Sequence, residues 1–319
     1  TTDANRLIAT IASVGASEQS KALSEGFLSG TALVNLGLDR LDLLRGQGLG
    51  AFAIVDGSSV KHKTGSNVDV DSLGVLAGIT GQIKTAPGDV KLTGFFVHGE
   101  GDYDTHNSFS NAASVKGKGD SEYNGVGVLG RLDFTGTAKG HAFAEASLQA
   151  GRVETEFRSR DLGTPGTSAK YDAKSSYVGA HVGGGYVWKL GEGELELYGK
   201  YLYTRRAGDK VHLPSGDPID FDAVESQRLR VGARYDWTAE KFKPYVALAA
   251  EHEFDGKANA KAYGQKIDAP DMKGATGIVE AGLTMVPSRA VPLTVEVGVK
   301  GYFGKREGAG GQVKVEYRF

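Results

Sequence analysis

The chain has no cysteine among its 319 residues, which removes disulfide frameworks, thiolate metal sites and cysteine nucleophiles together. Such a chain suits passage through an oxidising compartment before folding. Nor is there an excess of charge: 37 basic and 39 acidic side chains give a formal charge of −2, so no basic surface recommends nucleic acid as a partner. Long hydrophobic runs are missing too. The longest is the six residues from Tyr245 to Ala250, far short of the roughly 18 to 20 that a membrane-spanning helix requires. Proline is scarce at 8, which sets aside a proline-rich disordered chain. Thr1 to Arg6 show no basic start leading into an apolar stretch, so no signal peptide is read there, and a removed leader or a fragment is expected.

Glycine is what the chain has in abundance: 47 residues, about 15%, roughly twice the usual share. With so little proline, those glycines belong inside ordered structure. From Ser17 to Leu44 the apolar residues Ala22, Leu23, Phe27, Leu28, Ala32, Leu33, Leu36 and Leu43 fall at helical spacings, predicting one helix or two. Gly26, Ser29, Gly30 and Ala32 keep part of its surface narrow. From Gly46 onward the period changes to two. Val126, Val128, Leu132 and Phe134 alternate with Gly125, Gly127, Arg131 and Asp133; the final Val313, Val315, Tyr317 and Phe319 alternate with Gln312, Lys314, Glu316 and Arg318.

Twelve such segments centre near residues 52, 77, 95, 128, 147, 182, 199, 231, 248, 279, 298 and 316. An even number suits an up-and-down barrel. The connections sort into two kinds. Those after even-numbered strands are short, namely Ala86 to Asp89, Thr135 to Lys139, Leu190 to Gly193, Thr238 to Lys241 and Pro287 to Pro292. Those after the third, fifth, seventh and ninth are long and polar, namely Gly101 to Asp120, Asp161 to Lys170, Ala207 to Phe221 and Asp255 to Lys273. Alternation gathers the long loops at one end, as in outer-membrane barrels.

A soluble sandwich shares the period of two, so strand length and the polar face decide. Most segments reach about 10 residues, enough to cross a ~25 Å apolar band when tilted, whereas soluble strands average nearer 5 or 6. Turning the eighth strand over would aim Arg228, Arg230 and Arg234 at lipid, at roughly 2 to 4 kcal/mol each near the midplane. The first and third strands are ambiguous, because Ala51 to Val55 and Phe95-Phe96-Val97 do not alternate. The fold expected is a 12-stranded antiparallel transmembrane β-barrel, all-β apart from an N-terminal α-helix inside the pore. One helix of about 10 Å diameter fits a twelve-stranded bore. Threading it into the first strand from the periplasmic side places Thr1 at the outer mouth, so anything upstream emerges outside the cell.

Parity assigns Glu145, Glu196, Glu251, Glu253, Glu296 and Glu316 to the lumen, with Arg131, Lys200, Arg228, Arg230, Arg234, Lys300, Lys314 and Arg318. A mutually neutralised, water-lined wall accounts for them as well as helix contacts do. In the second case Arg40 or Arg45 of the helix meets inward carboxylates such as Glu251, Glu253 or Glu296. Tyr186, Trp188, Tyr235 and Trp237 fall near periplasmic strand ends, where an aromatic girdle belongs. Gly125 to Gly130 matches GxGxxG but lies inside a strand, so the pyrophosphate-binding mechanism is missing; its glycines are expected to relieve crowding against the helix. The seven histidines show no paired ligand spacing, and no hydrolytic triad stands out. No cofactor is expected.

Several segments carry a family resemblance. Ser20 to Glu25 followed by Val34-Asn35 resembles the lumenal helix of the translocator β-domain of autotransporters, the type V secretion family. Tyr198 to Tyr201, Ser226 to Tyr235, Lys243 to Asp255, Gly274 to Gly277 and Gly301 to Gly308 resemble its later strands and loops. Tyr317 and Phe319 are similar to the aromatic terminus read as an assembly signal by the barrel-assembly machinery. The match covers nearly all of the chain. It implies residues 1–45 as linker and lumenal helix and 46–319 as translocator, embedded in outer-membrane lipid of a Gram-negative bacterium. It implies a monomer that exports an upstream passenger and is not an enzyme. The Asn-Asn pair at which one branch of the family cleaves itself is missing, since Asn35 stands between Val34 and Leu36. The competing functions are a diffusion channel plugged by its helix and an outer-membrane hydrolase built from loops.

Overall fold

The computed structural model describes residues 14–45, 48–109, 112–162, 168–239, 241–286 and 291–319. One helix, α1 (Val14–Asp39), runs into a 3-10 turn, Arg40–Leu44. The strands that follow are β1 (Gly50–Lys63), β2 (Asn67–Thr85), β3 (Gly88–Asn107), β4 (Val115–Phe134), β5 (Gly140–Ser159), β6 (Ala169–Leu190), β7 (Gly193–Arg206) and β8 (Asp209–His212). Then come β9 (Pro218–Phe221), β10 (Val224–Trp237), β11 (Phe242–Glu253), β12 (Ala260–Ala262), β13 (Gln265–Ile267), β14 (Gly274–Met285), β15 (Leu293–Gly304) and β16 (Arg306–Arg318). Twelve of them close into an antiparallel barrel, β1 to β7 followed by β10, β11 and β14 to β16. Closure is made by β16 on β1, from Gly50 opposite Arg318 to His62 opposite Arg306. Each of the twelve predicted centres falls within a barrel strand.

The outward face is apolar yet exposed, with Ile79, Ile83, Val126, Val182, Leu248 and Val299 all at 58–64%. On a soluble protein a band of this kind would demand a partner. In a bilayer it is the solvated face. The two ambiguous strands resolve at the level of packing: Phe52, Ile54, Phe95 and Val97 turn inward and are buried, while Val55 and Phe96 face out. Their apolar inward residues belong to the core around α1, so strict apolar-out alternation fails where the lumen is filled.

Three connections differ from the sequence expectation. Gly101 to Asp120 is mostly strand, because β3 continues to Asn107 and β4 begins at Val115. Above the lipid the outward residues Asp102, Asp104 and His106 become polar while Tyr103, Thr105 and Asn107 stay buried, so the pattern persists but its apolar face has switched sides. The loops at 207–221 and 255–273 are not simply polar either. They fold into a four-stranded sheet in the order β13-β12-β9-β8. Val211, Ile219, Phe221, Ala258, Ala260, Ala262 and Ile267 of these two loops join the helix in one buried cluster. The turn at 287–290 and the placement of Thr1 lie outside the described residues.

Glycine's abundance has a packing cause. A methyl group on Gly232 would lie 2.5–2.8 Å from the Tyr198 ring, and one on Gly282 would lie 2.5 Å from Tyr245. Aromatic rings in the lumen thus rest on neighbouring strands where no side chain stands. In the GxGxxG run, Gly125 lies beneath Tyr177 and Gly127 beneath Phe95. The crowding they relieve comes from strand aromatics rather than from the helix, a correction to the sequence reading.

Candidate functional site

Helix α1 is apolar around most of its circumference, with Ala22, Leu23, Phe27, Leu28, Leu33, Val34, Leu36 and Leu38 all buried. A helix of that kind needs enclosure on every side, and the barrel supplies it. Near its start, Lys21 Nζ donates to the Thr64 carbonyl at 2.9 Å, in the turn joining β1 to β2. Past its end, Lys314 Nζ donates to the Leu43 carbonyl at 2.8 Å, on the strand that finishes beside the short turns. The helix therefore runs from the long-loop end to the short-turn end of the bore.

The outer half of the lumen is aromatic. Phe27 stacks on Phe221 with centroids 4.5 Å apart, and Tyr171 lies 5.1 Å from Phe221 and 5.2 Å from Phe157. Two polar contacts here go to the helix backbone: Tyr171 Oη donates to the Leu23 carbonyl at 2.6 Å and Arg206 Nη1 to that of Phe27 at 2.5 Å. Lower down, Asn35 donates to Ser226 Oγ at 3.0 Å.

Charge fills the inner half. Asp39 at the end of α1 accepts from Arg228 at 2.7 Å, Arg230 at 2.6 Å and Arg306 at 3.1 Å. The same three guanidiniums meet Glu251 at 3.3, 2.5 and 2.7 Å. Asp42, in the 3-10 turn, accepts from Arg230 at 2.6 Å and Lys200 at 2.7 Å. Lys200 reaches Glu145 at 2.5 Å, Glu145 reaches Arg131 at 3.2 Å and Arg131 reaches Glu196 at 3.5 Å. Glu196 meets Arg45 at 3.1 Å, and Arg45 returns to Asp42 at 3.7 Å. Acids and bases alternate around this closed circuit, so each buried charge has opposite neighbours on both sides.

The expected pairing of helix arginines with Glu251, Glu253 or Glu296 is not the one formed. Arg40 instead bonds Asp56 and Tyr123, and Arg45 takes Glu196 and stacks over Tyr198 at 4.2 Å. The reason is supply: β10 already brings Arg228 and Arg230 to Glu251, so the helix contributes carboxylates to that site. Glu253 is held by Ser226 Oγ and the Gln227 amide at 2.5 and 2.7 Å. Glu296 lies 3.8 Å from Arg234, and Lys300 lies 3.5 Å from Glu280. Glu316 pairs with Lys314 at 3.5 Å and with Arg318 at 2.9 Å, and the Arg318 side chain is half-exposed at the rim. Asp39, Asp42 and Arg306 went unnoticed in the sequence. Three cations on β10 and β16 facing one glutamate was the signal that the helix must bring acid.

Tyr186 contacts Trp188 at 4.5 Å and Tyr235 contacts Trp237 at 4.8 Å, all beside the short turns. Tyr317 and Phe319 stand exposed at the same end, and the Phe319 amide donates to the Leu49 carbonyl at 3.1 Å. Among the described residues no group of histidine and carboxylate side chains forms a metal site.

A lipid-facing barrel of twelve strands with a helix through its bore is the architecture of an outer-membrane translocator. Residues 46–298 match the family described as autotransporter beta-domain, and the chain belongs to that family. Among solved structures it is similar to the transport unit of the autotransporter AIDA-I from Escherichia coli, with a TM-score of 0.72 and 18% identity over 92% of this chain and 99% of that one. It also resembles the translocator domain of NalP from Neisseria meningitidis, at 0.66 and 11% over 95% and 99%. The β-domain of the Bordetella autotransporter BrkA is similar at 0.64 and 16% over 86% and 100%. No curated protein sequence matches the chain. The domain is an outer-membrane translocator and anchor of a Gram-negative bacterium that serves an attached passenger, and its family's role is transport and anchorage rather than catalysis.

Proposed function

We propose that the chain acts as a plugged conduit, in which α1 is the segment left in the bore after the passenger has passed outward. The helix direction carries this reading: its N-terminal turns sit at the long-loop end, level with Thr64, and its C-terminal turn sits at Leu43 beside Lys314. In this reading residues 1–45 are linker and plug, residues 46–319 are the barrel, and the passenger lies outside the cell. The inner charges Asp39, Asp42, Arg45, Glu145, Glu196, Arg228, Arg230, Glu251 and Arg306 hold the plug. Tyr317 and Phe319 form the signal taken up by the barrel-assembly machinery, the working unit is a monomer in lipid, and no bond is made or broken by the barrel.

Free diffusion needs a continuous opening. The cavities beside the helix near Asp42 and near Arg40 hold about 20 Å³ each, room for one water. Deleting residues 14–39 should convert a poorly conducting barrel into an open channel in planar bilayers. Unchanged conductance would remove the plug from the account, and protease sensitivity upstream of the helix in intact cells checks the outward topology.

A further inference from the structure

The lipid-facing band ends in a polar edge on the long-loop side, and β5 sets its height. Near the short turns Ala142 of β5 lies opposite Tyr186, a ring of the inner aromatic girdle. Ten residues further along β5 stands Arg152, about 25 Å across the membrane at the usual rise and tilt. The outward residues between them, Ala144, Ala146, Leu148 and Ala150, are exposed and apolar. Arg152 therefore stands where acyl chains give way to headgroups at the cell surface. Its side chain is exposed, and among the described residues no carboxylate pairs with it. Other cations near this edge are already paired: Arg205 lies 3.3 Å from Glu225, Lys305 3.5 Å from Asp271 and Lys61 3.6 Å from Asp69.

The register places uncharged polar side chains on both sides of Arg152. Asn124 on β4 and Ser176 on β6 lie directly opposite it, and His98 on β3 lies opposite Asn124. Adjacent strands are about 4.8 Å apart, so one tetrahedral oxyanion spans Arg152 and either neighbour. The next step outward is acidic. Glu100, Glu122 and Glu154 form a row across β3, β4 and β5 that ends in Lys174 on β6. Lys174 pairs with Glu154 at 2.6 Å, and Glu122 lies 3.8 Å from His98. One step higher, Asp71, Asp102 and Asp120 face one another in the same way. Like charges directly opposite across strands are unfavourable, and such rows repel a bare phosphate. They accept a phosphate that arrives with a divalent cation, for which carboxylates are ligands.

We propose that the outer face of β3 to β6 docks a phosphorylated glycolipid of the outer leaflet. Arg152, with Asn124 and Ser176, takes one headgroup phosphate directly, and the row of Glu100, Glu122 and Glu154 holds the rest of the headgroup through divalent cations. The acyl chains lie below on Ala150, Leu148 and Val126, which face the lipid. Height favours a glycolipid over a phospholipid as the occupant. β5 continues seven residues beyond Arg152 to Ser159, roughly 18 Å of wall above the apolar edge, and only a tall sugar headgroup lies against it. A phospholipid with a single phosphate makes the first contact and offers nothing to the second. The docking site is on the outside of the barrel, so it stands whether or not the helix acts as a plug.

Native mass spectrometry of the whole chain in detergent micelles, titrated with diphosphoryl lipid A in millimolar magnesium, tests this. The chain should retain the glycolipid in preference to phosphatidylethanolamine. Arg152→Ala should weaken retention by about tenfold or more, through loss of a charge-assisted contact. Arg205→Ala removes a cation already paired with Glu225 and should leave retention within about twofold. Chelating the magnesium should weaken retention in the unaltered chain and leave it unchanged in Glu100→Gln/Glu122→Gln. All four positions are exposed, and heat-modifiable migration on gels verifies that each variant is a closed barrel. Equal retention of the two lipids, full retention in Arg152→Ala, or a magnesium effect that persists in the double variant would overturn the docking site. Displacement of the glycolipid by millimolar inorganic phosphate would make Arg152 a plain anion site and overturn the lipid assignment.

Discussion

In the outer half of the lumen the helix lies against rings, with Phe27 on Phe221 and Tyr171 over the Leu23 carbonyl. In the inner half it lies among charges, with Asp39 between three guanidiniums and Asp42 within a closed circuit of acids and bases. Apolar contact is non-directional and tolerates a small slide along the bore. Ion pairs with fixed donors do not, since a shift of one helical turn would strand Asp39 and leave Arg228, Arg230 and Arg306 with Glu251 alone. The inner half therefore sets the register of the plug, and the outer half supplies enclosure. The buried charges need not raise stability above that of an apolar packing to do this.

The comparison is broken most forcefully at Arg230, which touches Asp39, Asp42 and Glu251. Arg230→Met should cost about 3 to 5 kcal/mol in urea unfolding from micelles, because three buried carboxylates lose a shared partner. A cost below about 1 kcal/mol would mean the inner half is slack. Phe27→Ala probes the other half and should cost about 3 kcal/mol by cavity formation, with the inner turns still protected in hydrogen exchange. Gly26→Ala sharpens that result, since the new methyl would lie 2.6 Å from both Phe157 and the Tyr171 hydroxyl. Overpacking of this kind should cost about 1 to 3 kcal/mol in the same unfolding measurement. Smallest of all, Lys63→Ala removes a half-exposed pair with Glu307 and should change stability by less than about 1 kcal/mol, leaving both halves as they were.

Strand number, closure and the presence of one helix were legible because lipid enforces a strict face: Val313, Val315 and Tyr317 have no other place to go. The same rule misled wherever lipid was absent. Above the membrane Asp102 and Asp104 face water on the outside while Tyr103 is buried within, so the end of β3 read as loop. In the lumen Phe52 and Ile54 broke the alternation because the helix makes the interior a core. Parity placed Arg228, Arg230 and Glu251 correctly on the inner face, yet parity says nothing about height along the bore. That is why Arg40 was matched to Glu251 when its partner is Asp56.

Strand lengths around the barrel are uneven: β2 to β6 run 19 to 22 residues, while β11, β14 and β15 run 12. At the usual rise and tilt the extra residues lift one arc of the rim by roughly 20 Å, giving a slanted lip like that of a jug. The β8–β9 and β12–β13 hairpins spring from the low side and ladder only with each other. The high arc is laddered along its length and acts as a fixed backrest. In the plugged-conduit reading, the sheet on the low side, packed on α1 through Phe221, is the part of the rim that a chain leaving the bore meets first.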